Sequence, residues 1–292
     1  MPCAGATLAD MKIPRYWVRE QRELGGMQCR LRGFSDESMD AARQMLEERA
    51  RLLQEFYAEP VTDERAQTLR AALAALSEPE GQGEYVADML EPVFHRLNES
   101  NIITRNRYGA LVLNSTDTCF ADVDTAPGSG SLWELVKGIF GKGTTPEQQM
   151  LAAMHSLHAE CGHVSSRLYR TAKGWRIIFS GPEISLGAPF VNELFNRLQV
   201  DPLYSTLCRK QACWRARLTP KPHRLHLPRC PQPASSEEAA AVQADWVREY
   251  EEACKGKAVC RLVETFGSAM QNAIVELHDQ LTGVNLQSDT LL

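Results

Sequence analysis

The chain has 292 residues, 43% of them hydrophobic and 24% charged, with a formal net charge of −5. That is an ordinary composition for a globular protein and enough for one large domain or two small ones. No apolar run approaches the ~18 residues of a membrane span. The opening MPCAGATLADMK lacks a basic stretch followed by an apolar one, so no secretory leader or membrane contact is expected and a cytoplasmic location is. Nine cysteines at irregular spacing, in a chain too long to need staples, point to reduced thiols.

The net charge hides an asymmetry. Residues 165–229 carry 12 Lys/Arg against 3 Asp/Glu, a net of +9, so the remainder carries −14. A positive field inside an acidic protein suggests a phosphate-bearing ligand, or else a basic segment that pairs with acidic helices around it.

Residues 11–33, with Pro14, Tyr16 and Trp17 close together, read as an extended arm or irregular strand packing aromatic side chains on the main body. Ser35 is placed to cap a helix over 36–57, with Asp36 and Glu37 in its first turn and an apolar stripe through Met39, Ala42, Leu46 and Leu53. Pro60 ends it, and Thr62 caps a second helix. Residues 78–83 are a linker by composition. A third helix is expected over 85–97, kinked or split at Pro92. Arg105 and Arg107 precede the next strand closely enough to face whatever it binds.

Residues 108–124, YGALVLNSTDTCFADVD, read as two strands joined by a short polar turn. Alternation puts Cys119, Ala121 and Val123 on one face and Phe120, Asp122 and Asp124 on the other. Carboxylates at i and i+2 have Cα atoms roughly 6.5–7 Å apart. They can converge on Mg²⁺ or Mn²⁺ with positions left open for phosphate oxygens. The plainer alternative is a strand that has run into solvent and begins a loop with two acids.

A short amphipathic helix follows at 132–140. The GKGTT of 141–145 lacks the first glycine and the spacing of a phosphate loop and reads as a turn. Thr145 and Pro146 start a helix to about Glu160. His155, His158, Cys161 and His163 are zinc-ligand types, but the spacing H-x₂-H-x₂-C-x-H matches no mechanically defensible zinc pattern. It reads rather as polar histidines at a helix end beside a buried cysteine.

Residues 167–179 read as a hairpin, turning at Thr171-Ala172-Lys173-Gly174 with Gly174 free to take positive φ. Helices are expected over 189–200 and 202–210, the latter capped by Asp201 with Pro202 first. Residues 212–219 alternate strictly, Trp214, Ala216 and Leu218 inward and Arg215, Arg217 and Thr219 outward, a half-buried strand with a basic face. Lys221 to Arg224 continue the charge. After the proline-rich 228–233, Ser235 or Ser236 caps an acidic helix to about Lys255, residues 261–270 have no clear assignment, and 272–281 form a last helix.

A strand ending in D-x-D, followed by a hairpin of the form R-[ST]-x-x-G-[WY]-x-hydrophobic, resembles the archaeo-eukaryotic primase-polymerase superfamily over some 60–80 residues. The rest of the chain resembles uncharacterised bacterial proteins. The resemblance implies that Asp122 and Asp124 ligate catalytic metals and that Tyr169, Arg170, Thr171, Gly174, Trp175 and Arg176 grip a nucleotide triphosphate. Two departures stand out. Arg176 occupies a position where the superfamily usually has His, and 212–219 offers no third carboxylate; Glu183 and Asp201 are the acids nearby.

The sequence therefore leads to an α+β fold with a central antiparallel or mixed sheet, RRM-like or primase-like, wrapped by helices from both ends. Three regions are expected: a helical 1–100, an α/β core 101–230 and a helical 231–292. The function expected is binding of a nucleotide or nucleic acid, with metal-dependent nucleotidyl transfer left open. Asp122 and Asp124 would hold Mg²⁺ or Mn²⁺, and Arg170, Lys173, Arg176, Arg215, Arg217 and Lys221 would neutralise phosphates. The alternative is a non-catalytic interaction protein whose basic face docks an acidic partner.

Overall fold

Between residues 101 and 180, β-branched and aromatic residues stand in short runs broken by polar turns, the pattern of strands packed on both faces. The computed structural model describes residues 13–24, 27–58, 90–124, 145–231, 237–270, 272–286, 288 and 290–292. The helices expected from Thr62 and over 132–140, the turn at 141–144 and the cap at Ser235 or Ser236 lie outside them. The fold is α+β, and among the described residues it has ten strands and six α-helices. No described helix is long and apolar enough to cross a membrane.

Two compact units divide at Leu90/Glu91, rather than at residues 100 and 230. In the first, β1 (Tyr16–Leu24) and β2 (Met27–Ser35) form a nine-pair antiparallel hairpin, where an extended arm or a single irregular strand was expected. Helix α1 (Met39–Ala58) packs on it through Leu46, Ala50 and Leu53 against Leu24, Cys29 and Leu31. Gly33 permits this: a Cβ there would lie 1.9 Å from the Ala42 carbonyl. The cap of α1 is Ser38, whose hydroxyl accepts from Ala41 N–H at 3.1 Å, three residues later than expected.

The second unit holds two four-stranded antiparallel sheets. One runs in the order β3 (Val93–Arg96), β4 (Asn101–Arg105), β5 (Leu111–Ser115), β9 (Trp214–Arg217). The other runs β10 (Cys260–Phe266), β7 (Ser165–Thr171), β8 (Gly174–Ser180), β6 (Cys119–Asp124). The helix expected over 85–97 is corrected where it is described: 93–96 is an edge strand. The two strands of 108–124 exist, but they do not pair with each other. β5 pairs with β4 and β9, while β6 pairs with β8. Asp117 fixes the corner between sheets, accepting from Asn101 Nδ2 at 3.0 Å, Ser115 Oγ at 2.9 Å and Thr118 Oγ1 at 3.1 Å.

Helix α2 (Pro146–Glu160) carries a full capping box between Thr145 and Gln148. Helices α3 (Pro189–Arg197) and α4 (Pro202–Gln211) follow, then a 3-10 turn over Pro222–Leu225, α5 (Glu237–Cys254) and α6 (Ala273–Leu281). The C-terminal residues are not a separate helical region. β10 extends the second sheet, and Ile274 and Val275 of α6 lie in the same core as Phe120, Ile177 and Trp214. The β7–β8 turn falls where expected, yet Gly174 is not among the positive-φ glycines. Its value is close approach, since a Cβ would meet the Val123 carbonyl at 2.0 Å.

Candidate functional site

Strands β6 and β9 are edges of different sheets, and side chains bridge them. The Tyr204 hydroxyl from α4 donates to the Phe120 carbonyl at 2.8 Å and accepts from Arg215 N–H at 3.4 Å. Two residues further on, Arg176 from β8 joins Asp122 to the Arg217 carbonyl. The bridged pairs, 120 with 215 and 122 with 217, advance together, so β6 and β9 run in the same direction. Their C-terminal ends meet at one edge.

At that edge Arg176 is the central cation. It faces Asp122 across the β6–β8 ladder. Its Nε donates to Oδ1 at 2.8 Å and Nη2 to Oδ2 at 3.1 Å, a fork-to-fork pair. Nη1 donates to the Arg217 carbonyl at 2.8 Å and approaches His278 Nε2 at 3.4 Å. Arg176 is only 2% exposed. Burial is the largest single influence and opposes its charge, but Asp122 together with Cys260 and Tyr204 holds its pKa above the ordinary value.

Arg217 is different. Its Nη1 donates to the Thr219 carbonyl at 2.9 Å, and among the described residues no carboxylate lies within ion-pair distance of it. Burial, and then the charge of Arg176, push its pKa down to about 10. Lys221 is lowered by burial and by Arg217, Arg224 and Lys173. Burial also lowers Arg224, with Asp124 opposing. Asp124 is raised, chiefly by burial and then by Asp201 and Asp122, while Lys221 and Lys173 pull the other way. Five cations, Lys173, Arg176, Arg217, Lys221 and Arg224, thus gather with three carboxylates, Asp122, Asp124 and Asp201.

Asp201 reaches this group because its N–H donates to the Asp122 carbonyl at 3.1 Å. Its side chain caps α4 through Leu203 N–H at 2.9 Å. The sequence marked it as this cap and as one of two acids near the expected site, with Glu183. Arg224 was legible as loop charge but not as a neighbour of Asp124, and nothing in the sequence linked His278 to Arg176.

Three expected positions fall elsewhere or are already committed. Arg215 is 9% exposed, with Nη2 on both Glu91 carboxylate oxygens at 2.7 and 2.8 Å and Nη1 on Gln211 at 2.9 Å. Strand β9 is therefore buried at Arg215 and presents no solvated basic row. Arg170 lies over the Trp175 ring at 4.5 Å and donates to the Gly174 carbonyl. Its cross-strand partner is Trp175, so it sits on the face opposite Arg176. Arg105, expected near the acids, binds the Gly109 carbonyl at 2.8 Å and Glu251 at 2.6 Å.

The histidines in and just after α2 diverge: His155 pairs with Glu264, His158 with Ser166 and His163 with Glu183. Among the described residues no group of three His, Cys, Asp or Glu is arranged to hold a metal.

These features define an α+β protein with a cation-rich cleft edge built around one buried arginine–aspartate pair. No family model, no curated protein and no solved structure matches the chain.

Proposed function

We propose that the protein binds the phosphate groups of a nucleotide or nucleic acid at the joined C-terminal ends of β6 and β9, on a primase-polymerase-like core. The observation that carries this is Arg217, a largely buried cation with no carboxylate at ion-pair distance among the described residues, beside Lys221 and Arg224. A cluster with more cations than carboxylates suits an anionic ligand, and guanidinium forks suit phosphate oxygens.

Metal-dependent nucleotidyl transfer is an extension of this reading. Its support is residue type alone: Asp122, Asp124 and Asp201 offer the oxygen ligands that Mg²⁺ or Mn²⁺ takes, without forming a metal-holding group as they stand. However, Asp122 already accepts both arms of Arg176, so a Mg²⁺ or Mn²⁺ ion there would have to displace that contact. Binding without catalysis is accordingly the primary reading. The acidic-partner alternative has less support, because Arg170 and Arg215 do not join the other cations in one exposed face.

The test is titration of the whole chain with ATP and with oligothymidylate, with and without Mn²⁺. Lys221→Ala with Arg224→Ala should weaken binding at least about tenfold, in line with charge-assisted contacts of ~1.5 kcal/mol or more each. Affinity unchanged in that double variant would reject the site. Strengthening by Mn²⁺ that disappears in Asp124→Asn would support the metal extension.

A further inference from the structure

Beneath the Asp122–Arg176 pair lies a second layer that the phosphate-binding reading does not use. His278, on α6, is fully buried. Its Nδ1 lies 3.0 Å from Asp279 Oδ1 and its Nε2 lies 3.4 Å from Arg176 Nη1. Asp279 in turn pairs with Arg167 of β7 at 2.8 Å. The rings of Tyr169 and Phe120 flank the imidazole at 5.1 and 5.8 Å. The result is a line of alternating partners, Arg167–Asp279–His278–Arg176–Asp122, running from β7 through the C-terminal helix to the cleft edge.

The chemistry fixes the tautomer. Arginine has only donors, so the ring nitrogen facing it must present a lone pair. A neutral His278 therefore carries its proton on Nδ1 and donates it to Asp279, an arrangement in which a carboxylate orients the ring and the ring orients the next group. Arg176 Nη1 is also held by the Arg217 carbonyl, but only His278 approaches it from α6.

We infer that His278 is a positioning residue: through Nε2 it sets the direction of the Arg176 guanidinium, and so keeps the fork on Asp122 and the Asp122 charge neutralised at the cleft edge. A ring protonated on both nitrogens would point N–H at N–H and release the guanidinium. The charged and titratable groups around this step are Arg176 of β8, Asp122 of β6, Arg167 and Tyr169 of β7, Cys260 of β10, and Asp279 of α6 itself. The inference stands on this geometry and does not require that the cleft bind phosphate.

Nitrogen NMR on the full chain tests it. At neutral pH the wild-type His278 ring should show a protonated Nδ1 and an unprotonated Nε2, and the Arg176 Nε–H should be slow to exchange. His278→Gln can accept from Arg176 and donate to Asp279, and it should keep that slow exchange. His278→Leu should speed it at least about tenfold, as local opening does. In a second measurement, an Asp122 left uncompensated should weaken pyrophosphate binding about fivefold in the Leu variant, a size ordinary for an indirect coupling, with restoration by Gln. A proton on Nε2 in the wild type, or equal protection in all three proteins, overturns the inference. If the Leu variant does not fold, the wild-type tautomer and the Gln variant still decide. A wild-type chain that ignores pyrophosphate would count against the proposed function, while the NMR result would judge His278 by itself.

Discussion

The two aspartates of the cleft edge show how one strand can give two carboxylates opposite energetics. Asp122 is the partner of a buried arginine, and its removal leaves that cation uncompensated, which typically costs ~3–5 kcal/mol. Asp124 stands where burial and its acidic neighbours disfavour its charge. Asp122→Asn should therefore lower stability by about 3 kcal/mol, while Asp124→Asn should leave the urea midpoint unchanged or raise it. Equal losses in the two variants would contradict this account. A side chain kept against its own electrostatics is a candidate for function.

His278 gives the pH dependence at the same scale. Burial, and then the charge of Arg176, lower its pKa to about 4, although Asp279 favours the protonated form. The unfolded chain takes up that proton near pH 6.5, and the folded one does not until about pH 4. Stability is therefore complete above pH 6.5 and declines as pH falls toward 4, by about 3 kcal/mol for this group. Urea unfolding at a series of pH values should show that slope, and it should be lost in His278→Gln.

Among the elements, local signals located most of the regular structure. Thr145-Pro146, Asp201-Pro202 and Asn272 each open a helix where the sequence placed it, because capping depends on residues within one turn. The hairpin at 167–179 was legible for the same reason. What the sequence could not show was which strands pair over long distances. β5 and β6 are adjacent in sequence and divide between sheets at Asp117, and the first part of 261–270, without a clear pattern of its own, belongs to β10 (Cys260–Phe266) by pairing with β7. Part of the cleft edge was legible, since Asp122 and Arg176 meet as cross-strand partners. The diversion of Arg215 to Glu91 was not, because that partner lies 124 positions away.

Gly174 is a sharp test of this layer. Its conformation is ordinary, and only the approach of β6 demands the missing side chain. Gly174→Ala should cost about 3 kcal/mol, the upper range for overpacking, because backbone rather than a flexible side chain must yield. Denaturant titration reads it, and a shift below the error of the midpoint would mean that β6 can withdraw without loss.

At the scale of the whole molecule, a net charge of −5 disfavours a polyanion everywhere except at a local concentration of positive charge. Binding to nucleic acid would therefore depend on few contacts. Among the described residues, Arg217, Lys221 and Arg224 are cations of this edge that make no ion pair, with Arg176 engaged by Asp122. Three neutralised phosphates on a single strand predict a slope of log affinity against log salt of roughly −2, at about −0.7 per phosphate. The measurement is oligothymidylate binding across a salt series at fixed pH. A slope near zero would mean that phosphates are not the contact. One several times steeper would require a second basic surface beyond this cleft edge. Removing both Lys221 and Arg224 should flatten the slope toward that of a single cation, and an unaltered slope in that variant would place the contacts elsewhere on the protein.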